Sequence, residues 1–187
     1  MKTKFKNILI GIAFLLSAFI FAEQTTKKVY VVPIQDVIDL GIPGLVSRAI
    51  DLAETNNASL IIFDIDTFGG RVDAATQIKD SISSTEIETV AFINRRAISA
   101  GSLISLSCDQ IYMTSGATIG ATSVVDMSGS KQSEKSQSYM REEMAATAEK
   151  SGKNPDIARG MVDEELSFEY LVAVSYTHLT LPTNDRV

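Results

Sequence analysis

The chain has 187 residues, and its 17 Lys and Arg against 23 Asp and Glu give a formal net charge of −6 at pH 7. Binding to phosphates requires a basic face, so this acidic balance argues against nucleic acid as the main partner. Hydrophobic residues make up 45% and charged residues 21% of the chain, which argues against general disorder. A single cysteine and a single histidine exclude an intrachain disulfide, a multi-cysteine metal site and a two-histidine zinc site.

The N-terminal segment has the composition of an export signal. Three lysines lie among the first six residues, and residues 8–21 form an uncharged, mainly apolar run. We expect residues 1–22 to be a signal peptide cut after Ala22, or an uncleaved anchor because Ile20 is larger than the usual residue before such a cut. Either form predicts an exported, periplasmic or extracytoplasmic, membrane-associated protein.

The middle of the chain alternates between strand and helix patterns, which predicts βα units and a largely parallel sheet. The predicted strands are 29–34, 59–65, 89–93 and 110–113, and the predicted helices are 45–55, 72–82 and 99–107. The first helix has Leu45, Ala49 and Leu52 on one apolar face. Residues 131–161 are predicted to be helical, with Met140 and Met144 packing into the core. The Ser-rich residues 128–138 indicate a loop before this segment.

Two glycines follow the second predicted strand, within the segment 66–71, at a predicted strand-to-helix turn. Gly69 and Gly70 would let backbone N–H groups approach a ligand closely. N–H groups at a helix start favour developing negative charge. The alternative is a tight turn that binds nothing.

Ser99 follows the third predicted strand and opens a helix, between Ile98 and Ala100. Its hydroxyl is uncrowded, as at a nucleophile elbow, although the G-x-S-x-G pattern is absent. The alternative is a helix N-cap, a position that serine favours.

A nucleophilic serine needs a base, and the chain offers few candidates. The only histidine, His178, lies in the last ten residues, which disfavours a Ser-His-Asp triad. A lysine base must lose several units from a pKa of about 10.4, which requires burial in an apolar cleft. Lys131 and Lys135 could fold back over the Ser99 turn, or both could belong to a solvated loop; spacing does not choose between them.

Four ordered motifs resemble those of a known family. They are residues 66–74, Ser99-Ala100-Gly101, residues 109–113 and residues 119–121. Residues 29–163 resemble the Clp-protease/crotonase superfold and, more specifically, the secreted, membrane-associated serine proteases of the NfeD family. The resemblance implies an α/β fold of repeated βα units, with a mostly parallel sheet and a late helical segment.

The resemblance also implies a catalytic site. Ser99 matches the nucleophile, and Lys135, at the head of the helix that runs into residues 149–154, matches the general base. The N–H groups of Gly70 and Ala100 match an oxyanion hole. A Ser–Lys dyad needs no histidine, and each such donor is worth about 10²–10³ in rate.

Two neighbouring residues complete the expected site. Gly69 supports the same turn, and Phe68 stands where many family members have proline. Phe68 does not fix its φ angle as proline would, but it can line a pocket for an apolar side chain. Asp66 is interpreted as a turn-stabilising residue, and neither a metal nor another cofactor is expected.

The function implied is a serine endopeptidase that cleaves apolar segments of membrane-associated proteins. Expected partners are a peptide or membrane-protein substrate, such as a stomatin-like protein, and a further copy of the chain in a homodimer or higher oligomer. One alternative is a catalytically silent scaffold that binds membrane partners. Another is a signal-peptide-peptidase-like protease that takes its lysine from elsewhere, such as Lys79 or Lys131. A crotonase-type acyl-CoA enzyme is disfavoured by export.

The C-terminal residues depart from the family pattern. We expect a protease domain at 23–173, with a last helix at 164–171, and a non-native tail at 174–187, where residues 174–182 resemble translated sequencing-adapter read-through. On this hypothesis the native gene continues, and the longer relatives add membrane helices and a small β-barrel domain. The same tail and stop codon in genomic DNA would refute it.

Overall fold

A computed structural model describes residues 27–126, 128–163 and 165–166 of the chain. The strands are β1 (Val29–Ile38), β2 (Leu60–Gly70), β3 (Thr89–Ile98), β4 (Gln110–Met113) and β5 (Thr118–Gly120). The helices are α1 (Ile42–Thr55), α2 (Val72–Ile82), α3 (Ala100–Ser107), α4 (Glu134–Lys150) and α5 (Pro155–Gly160).

One parallel sheet organises the fold, in the order β1-β2-β3-β4, and β5 also pairs with β3 in parallel. The α/β class and the mostly parallel sheet are therefore confirmed. All the strands run the same way, so their carboxyl ends meet at one edge, where ligands bind in open α/β sheets. β5 joins this edge by pairing Ile98 with Gly120.

The core lies between the sheet and the helices that follow its strands. Phe63 and Ile65 of β2 are fully buried, as is Ile78 of α2. The expected core positions Met140 and Met144 of α4 are buried as well. Burial of these large apolar side chains is the main stabilising contribution.

The apolar face predicted for the first helix is wrong. Leu45 and Leu52 are exposed, and α1 instead buries Pro43, Val46, Ile50 and Ala53. The helix begins earlier than predicted, at Ile42, because a proline is favourable in the first helical turn. Compared with the predicted face, the buried stripe lies one position further along the chain.

Several predicted boundaries also need correction. The segment predicted as a turn around Gly69 is the end of β2, with α2 beginning at Val72. The Ser-rich loop ends at Ser133, and residues 134–138 already belong to α4. The helical segment 131–161 is divided between α4 and α5, since Asn154 caps a new helix by accepting hydrogen bonds from the N–H groups of Asp156 and Ile157. β5 was not predicted.

The expected N-terminal signal, the tail at 174–187 and His178 lie outside the described residues, as does most of the helix expected at 164–171. Within the described part of the chain, no helix has the length and apolar character needed to cross a membrane.

Candidate active site

Ser99 lies at the junction between β3 and α3 in an unusual backbone conformation. Its φ of 54° and ψ of −115° are rare for a residue with a side chain, and its side chain makes no capping hydrogen bond to α3. Its hydroxyl is therefore not the cap that the alternative interpretation required. Strained positions of this kind concentrate at functional sites, as at the sharp strand-to-helix turn of a nucleophile elbow.

Hydrogen bonds from the neighbouring β5 fix this turn. The N–H of Ser99 donates to the carbonyl of Gly120 at 2.9 Å. The buried hydroxyl of Ser102 lies 2.7 Å from the Ala97 carbonyl oxygen and accepts the N–H of Gly120 at 2.8 Å. Sequence reasoning missed Ser102, and its only signal was a second serine one turn into a helix of small residues.

Gly69 and Gly70 lie beside Ser99 because nothing larger fits there. Gly69 has a φ of +106°, and a Cβ on it would lie 2.7 Å from Cβ of Ser99 and 2.9 Å from the Ile98 oxygen. A Cβ on Gly70 would lie 2.2 Å from the Ile38 oxygen. The turn is also held by Thr67, whose hydroxyl accepts the N–H of Gly69 at 2.9 Å. Gly69 therefore brings the end of β2 into contact with the Ser99 turn, and Gly70 lets it pack against Ile38 of β1.

Two connected spaces open onto Ser99. A small cavity of about 50 Å³ is lined by residues that include Gly70, Ser99, Ala100, Thr122 and Met140. An open groove of about 900 Å³ passes Gly70 and Ser99 as well. Its apolar lining is formed by Phe68, Ile98, Ile119, Val125, Ile157, Met161, Val162 and Leu166. The structure thus brings Phe68, Gly70, Ser99 and Ala100 together, with Gly69 supporting them.

Thr122 is a further polar residue of the cavity that the sequence did not reveal. Its side chain is buried, and its hydroxyl makes no hydrogen bond among the described residues. Its N–H donates to the Met161 carbonyl at 2.7 Å, which ties this wall of the cavity to the segment after α5. It follows Ala121, another residue with positive φ, so this wall is also held in a strained conformation.

Lys135 is not assembled with Ser99. It lies in the first turn of α4 with an exposed side chain, and among the described residues no lysine lines either space beside Ser99. Gln137 connects this turn to the cavity wall through its buried side chain. Its Oε1 accepts the N–H of Val124 at 3.0 Å, and its Nε2 donates to the Val124 carbonyl at 2.7 Å. Lys131 is also exposed, and its backbone pairs with Val125, which lines both spaces.

Lys79, the other alternative base, is held in ion pairs. Its amine lies 2.8 Å from Asp80 and 2.7 Å from Glu143. Burial alone would lower the pKa of Lys79, but hydrogen bonds with both carboxylates outweigh burial and raise the pKa. A base must be neutral, so this environment disfavours Lys79 in that role.

At the rim of the groove, Phe68 is 72% exposed and lies under the Arg96 guanidinium, which is 4.2 Å from the ring centre. Asp66 was predicted to stabilise a turn, and this prediction is wrong. It lies within β2, where its carboxylate pairs with Arg96 at 3.3 Å and Arg95 at 3.9 Å. No group of three or more His, Cys, Asp or Glu side chains in the described residues is arranged to hold a metal.

Known proteins resemble this chain in sequence and in fold. The sequence model of the NfeD1b N-terminal domain matches residues 28–187. The chain belongs to the NfeD1b family. It is 36% identical over 186 residues to the membrane protein NfeD1b of Bacillus subtilis, and the aligned residues cover 98% of this chain and 42% of that protein. It is 31% identical over 146 residues to the membrane-bound protease PH1510 of Pyrococcus horikoshii, across 74% of this chain and 33% of that one.

Solved structures show the same likeness. The 1510-N membrane-bound stomatin-specific protease, as a lysine-to-alanine mutant in complex with a substrate peptide, matches with a TM-score of 0.71 and 29% identity, over 76% of this chain and 68% of that one. ClpP1 of Listeria monocytogenes matches with a TM-score of 0.56 and 22% identity, over 71% of this chain and 78% of that one. The second likeness confirms the Clp-protease-like fold. Because the chain spans less than half of either sequence relative, their activities as whole proteins do not transfer to it directly.

Proposed function

We propose that this chain is the peptidase domain of a membrane-associated serine endopeptidase with Ser99 as nucleophile and Lys135 as general base. The observation that carries the proposal is the uncapped hydroxyl of Ser99, on a strained turn that shares a cavity with Gly70 and Ala100. The protease relatives support the reaction class. One solved relative is a serine-to-alanine mutant and another a lysine-to-alanine mutant, residue types that agree with the dyad.

The reaction is acyl transfer through a tetrahedral intermediate. Oγ of Ser99 attacks the peptide carbonyl while the neutral amine of Lys135 takes the hydroxyl proton. The N–H groups of Gly70 and Ala100 stabilise the oxyanion, and Ala100 is suited to this because first-turn N–H groups have no partner within their helix. The lysine ammonium then protonates the leaving amine, and water, deprotonated by the same lysine, hydrolyses the acyl-enzyme.

This mechanism requires Lys135 to move from its exposed position. Gln137, two residues further on, is already bonded to Val124 in the cavity wall. The mechanism therefore includes a rearrangement of the first turn of α4 and the loop before it that brings the amine of Lys135 to Ser99. Catalytic hydrogen bonds commonly tighten only when substrate binds, so the open geometry is compatible with the role.

The groove fits an apolar peptide segment. Its lining includes Ser99 together with Ile98, Ile119, Val125 and Met161, and Phe68 exposes its ring at the rim. Each apolar side chain that leaves water there contributes about 1.5–3 kcal/mol when fully buried. A stomatin-like membrane protein is the proposed substrate because a solved relative is described as specific for a stomatin homologue. Export and a homodimer or higher oligomer remain predictions.

The test is peptide cleavage by the 187-residue chain in detergent, read by mass spectrometry over a mixed set of apolar and polar peptides. We expect apolar peptides to be cut, with a loss of at least about 10³-fold in Ser99→Ala and in Lys135→Ala. Lys131→Ala is the matched control and should retain cleavage. If Lys131→Ala lost cleavage and Lys135→Ala retained it, the assignment of Lys135 as the base would be wrong.

The position of Lys135 outside the lining of both spaces beside Ser99 favours a second candidate, a scaffold that binds peptides without cutting them. In that case the same peptides would bind wild type and Ser99→Ala equally, and neither would yield fragments. A folded wild type that binds but never cleaves would contradict the peptidase and support the scaffold.

A further inference from the structure

A second pocket adjoins the apolar groove at Phe68 and has a volume of about 430 Å³. We call it the basic pocket; its lining is Phe68, Asn94, Arg95, Arg96, Ile98, Ser115, Gly116 and Thr118. Phe68 and Ile98 line both spaces, so the groove and the basic pocket are continuous. A peptide that lies across Ser99 and passes Phe68 therefore reaches the two arginines.

The charges of this pocket are unbalanced. Asp66 is the carboxylate that faces Arg95 and Arg96, and one carboxylate leaves a net positive charge on two guanidiniums. In both contacts the closest guanidinium nitrogen is Nε, at 3.9 Å and 3.3 Å, which are long distances for hydrogen bonds. The Nη groups lie beyond these contacts, and a guanidinium has five N–H donors to offer. No acidic residue of the described chain lines the pocket itself.

The two arginines differ in how firmly they are placed. Arg96 stacks on the Phe68 ring at 4.2 Å and its side chain is 30% exposed, so its orientation is largely set before a ligand arrives. The Arg95 side chain is 70% exposed and can adjust to the ligand. Arginine in such a setting recognises carboxylates, because its planar fork matches their two oxygens.

We infer that the basic pocket is a subsite for a carboxylate of the bound peptide, so that the site selects an apolar segment flanked by an acidic residue or by a chain end. The inference rests on the proposed function, because it takes the groove as the peptide site. An aspartate or glutamate side chain and a C-terminal carboxylate offer the same chemistry. The chain as a whole has a net charge of −6, so it does not attract an acidic peptide non-specifically. A preference for such a peptide would therefore arise in the basic pocket.

Binding without cleavage tests the pocket separately from the chemistry. The full chain with Ser99→Ala is titrated with fluorescent apolar peptides in which Asp, Asn or Lys is scanned through the flanking positions, with free-acid and amidated ends. At one position or at the free end, we expect the carboxylate to bind about three- to tenfold more tightly than its amide. The difference should shrink with added salt and as pH falls below about 4, where the carboxylate is protonated.

Variants assign the effect to the arginines. Arg95→Gln and Arg96→Gln should each reduce the Asp-over-Asn preference, and Arg95→Glu should favour the Lys peptide instead. Arg48→Gln, an exposed arginine of α1, removes the same charge elsewhere and should leave the preference unchanged. Equal binding of Asp and Asn peptides, or an equal effect of Arg48→Gln, would overturn the subsite alone. No binding by any peptide would overturn the proposed function together with it.

Discussion

Ser99 and Lys135 lie on parts of the molecule that are fixed to different degrees. The N–H of Ser99 bonds the Gly120 carbonyl of β5, and the Ser102 hydroxyl accepts the N–H of the same glycine. The turn also packs so closely against Gly69 that a Cβ there would not fit. Lys135 lies in the first turn of α4 with an exposed side chain, although residues on both sides of it, Gln132 and Gln137, bond to Val124 in the cavity wall. Under the proposed mechanism, the nucleophile Ser99 and the oxyanion donors are therefore assembled in advance, and Lys135 joins them when substrate binds.

The most damaging change should be one that disturbs the assembled side. Gly69→Ala adds a Cβ 2.7 Å from Cβ of Ser99 at a φ of +106°, and we expect it to lower the free energy of unfolding by about 2–5 kcal/mol. Displacing Ser99 by even about 1 Å should cost at least 10²-fold in cleavage. Urea unfolding and peptide cleavage measure the two effects.

Gly152→Ala is the matched control for Gly69→Ala. Gly152 also has a positive φ, of +73°, but a Cβ there meets no atom within 4 Å. It should therefore lose only the conformational cost, about 1–2 kcal/mol, and retain cleavage. Equal effects of the two substitutions would mean that the contact with Ser99 is unimportant and that the turn is less tightly packed than the structure indicates.

An intermediate effect is expected at Thr122, between the two sides. Its hydroxyl is buried without a hydrogen bond among the described residues, so Thr122→Val removes an unpaired polar group and should raise the free energy of unfolding by up to about 1 kcal/mol. If the hydroxyl bonds a polar group that enters the cavity, cleavage should fall about tenfold, as for one lost hydrogen bond. Thr122→Ser should retain cleavage. An unchanged rate in Thr122→Val would show that the hydroxyl contributes nothing when substrate is bound.

Features written in consecutive residues could be predicted from the sequence. The apolar runs of β2 and β3 predict buried strands, and the alternation with helices predicts the parallel sheet. The position of Ser99 between a strand and a helix of small residues predicts the turn itself. These patterns depend on local periodicity and backbone preference, which a single sequence records directly.

Features that depend on contacts between distant residues could not. β5 has three residues and is held by pairing with β3 and by a bond from Gly120 to Ser102, eighteen positions earlier in the chain. The unpaired hydroxyl of Thr122 and the stacking of Arg96 on Phe68 are visible only after folding. The distance from Ser99 to each candidate lysine also depends on the fold, which is why spacing did not choose between Lys131 and Lys135.

The smallest effect on cleavage is expected at Lys79. Its amine is held in two ion pairs, unlike the exposed amine of Lys135, so we expect it to stabilise the fold and to take no part in cleavage. Its ion pairs with Asp80 and Glu143 are more than four-fifths buried on the lysine side. Lys79→Met should therefore lower the free energy of unfolding by about 0.5–1 kcal/mol at pH 8 and leave cleavage unchanged. Lys150→Met, at an exposed position of the neighbouring α4 where the amine bonds the Ser83 carbonyl at 3.2 Å, is the control; it should lower the free energy of unfolding less and leave cleavage unchanged.

The pH dependence of that loss has a definite sign. The folded pKa of Lys79 is raised above its ordinary value of 10.5, so its contribution is fully present below that value and is lost as pH rises through the raised pKa. The difference in unfolding free energy between wild type and Lys79→Met should therefore shrink from pH 8 towards pH 11, measured by urea unfolding. A Lys79→Met chain that unfolds normally but no longer cleaves would reverse the comparison, because the fixed lysine would then be the base and the exposed Lys135 would be dispensable.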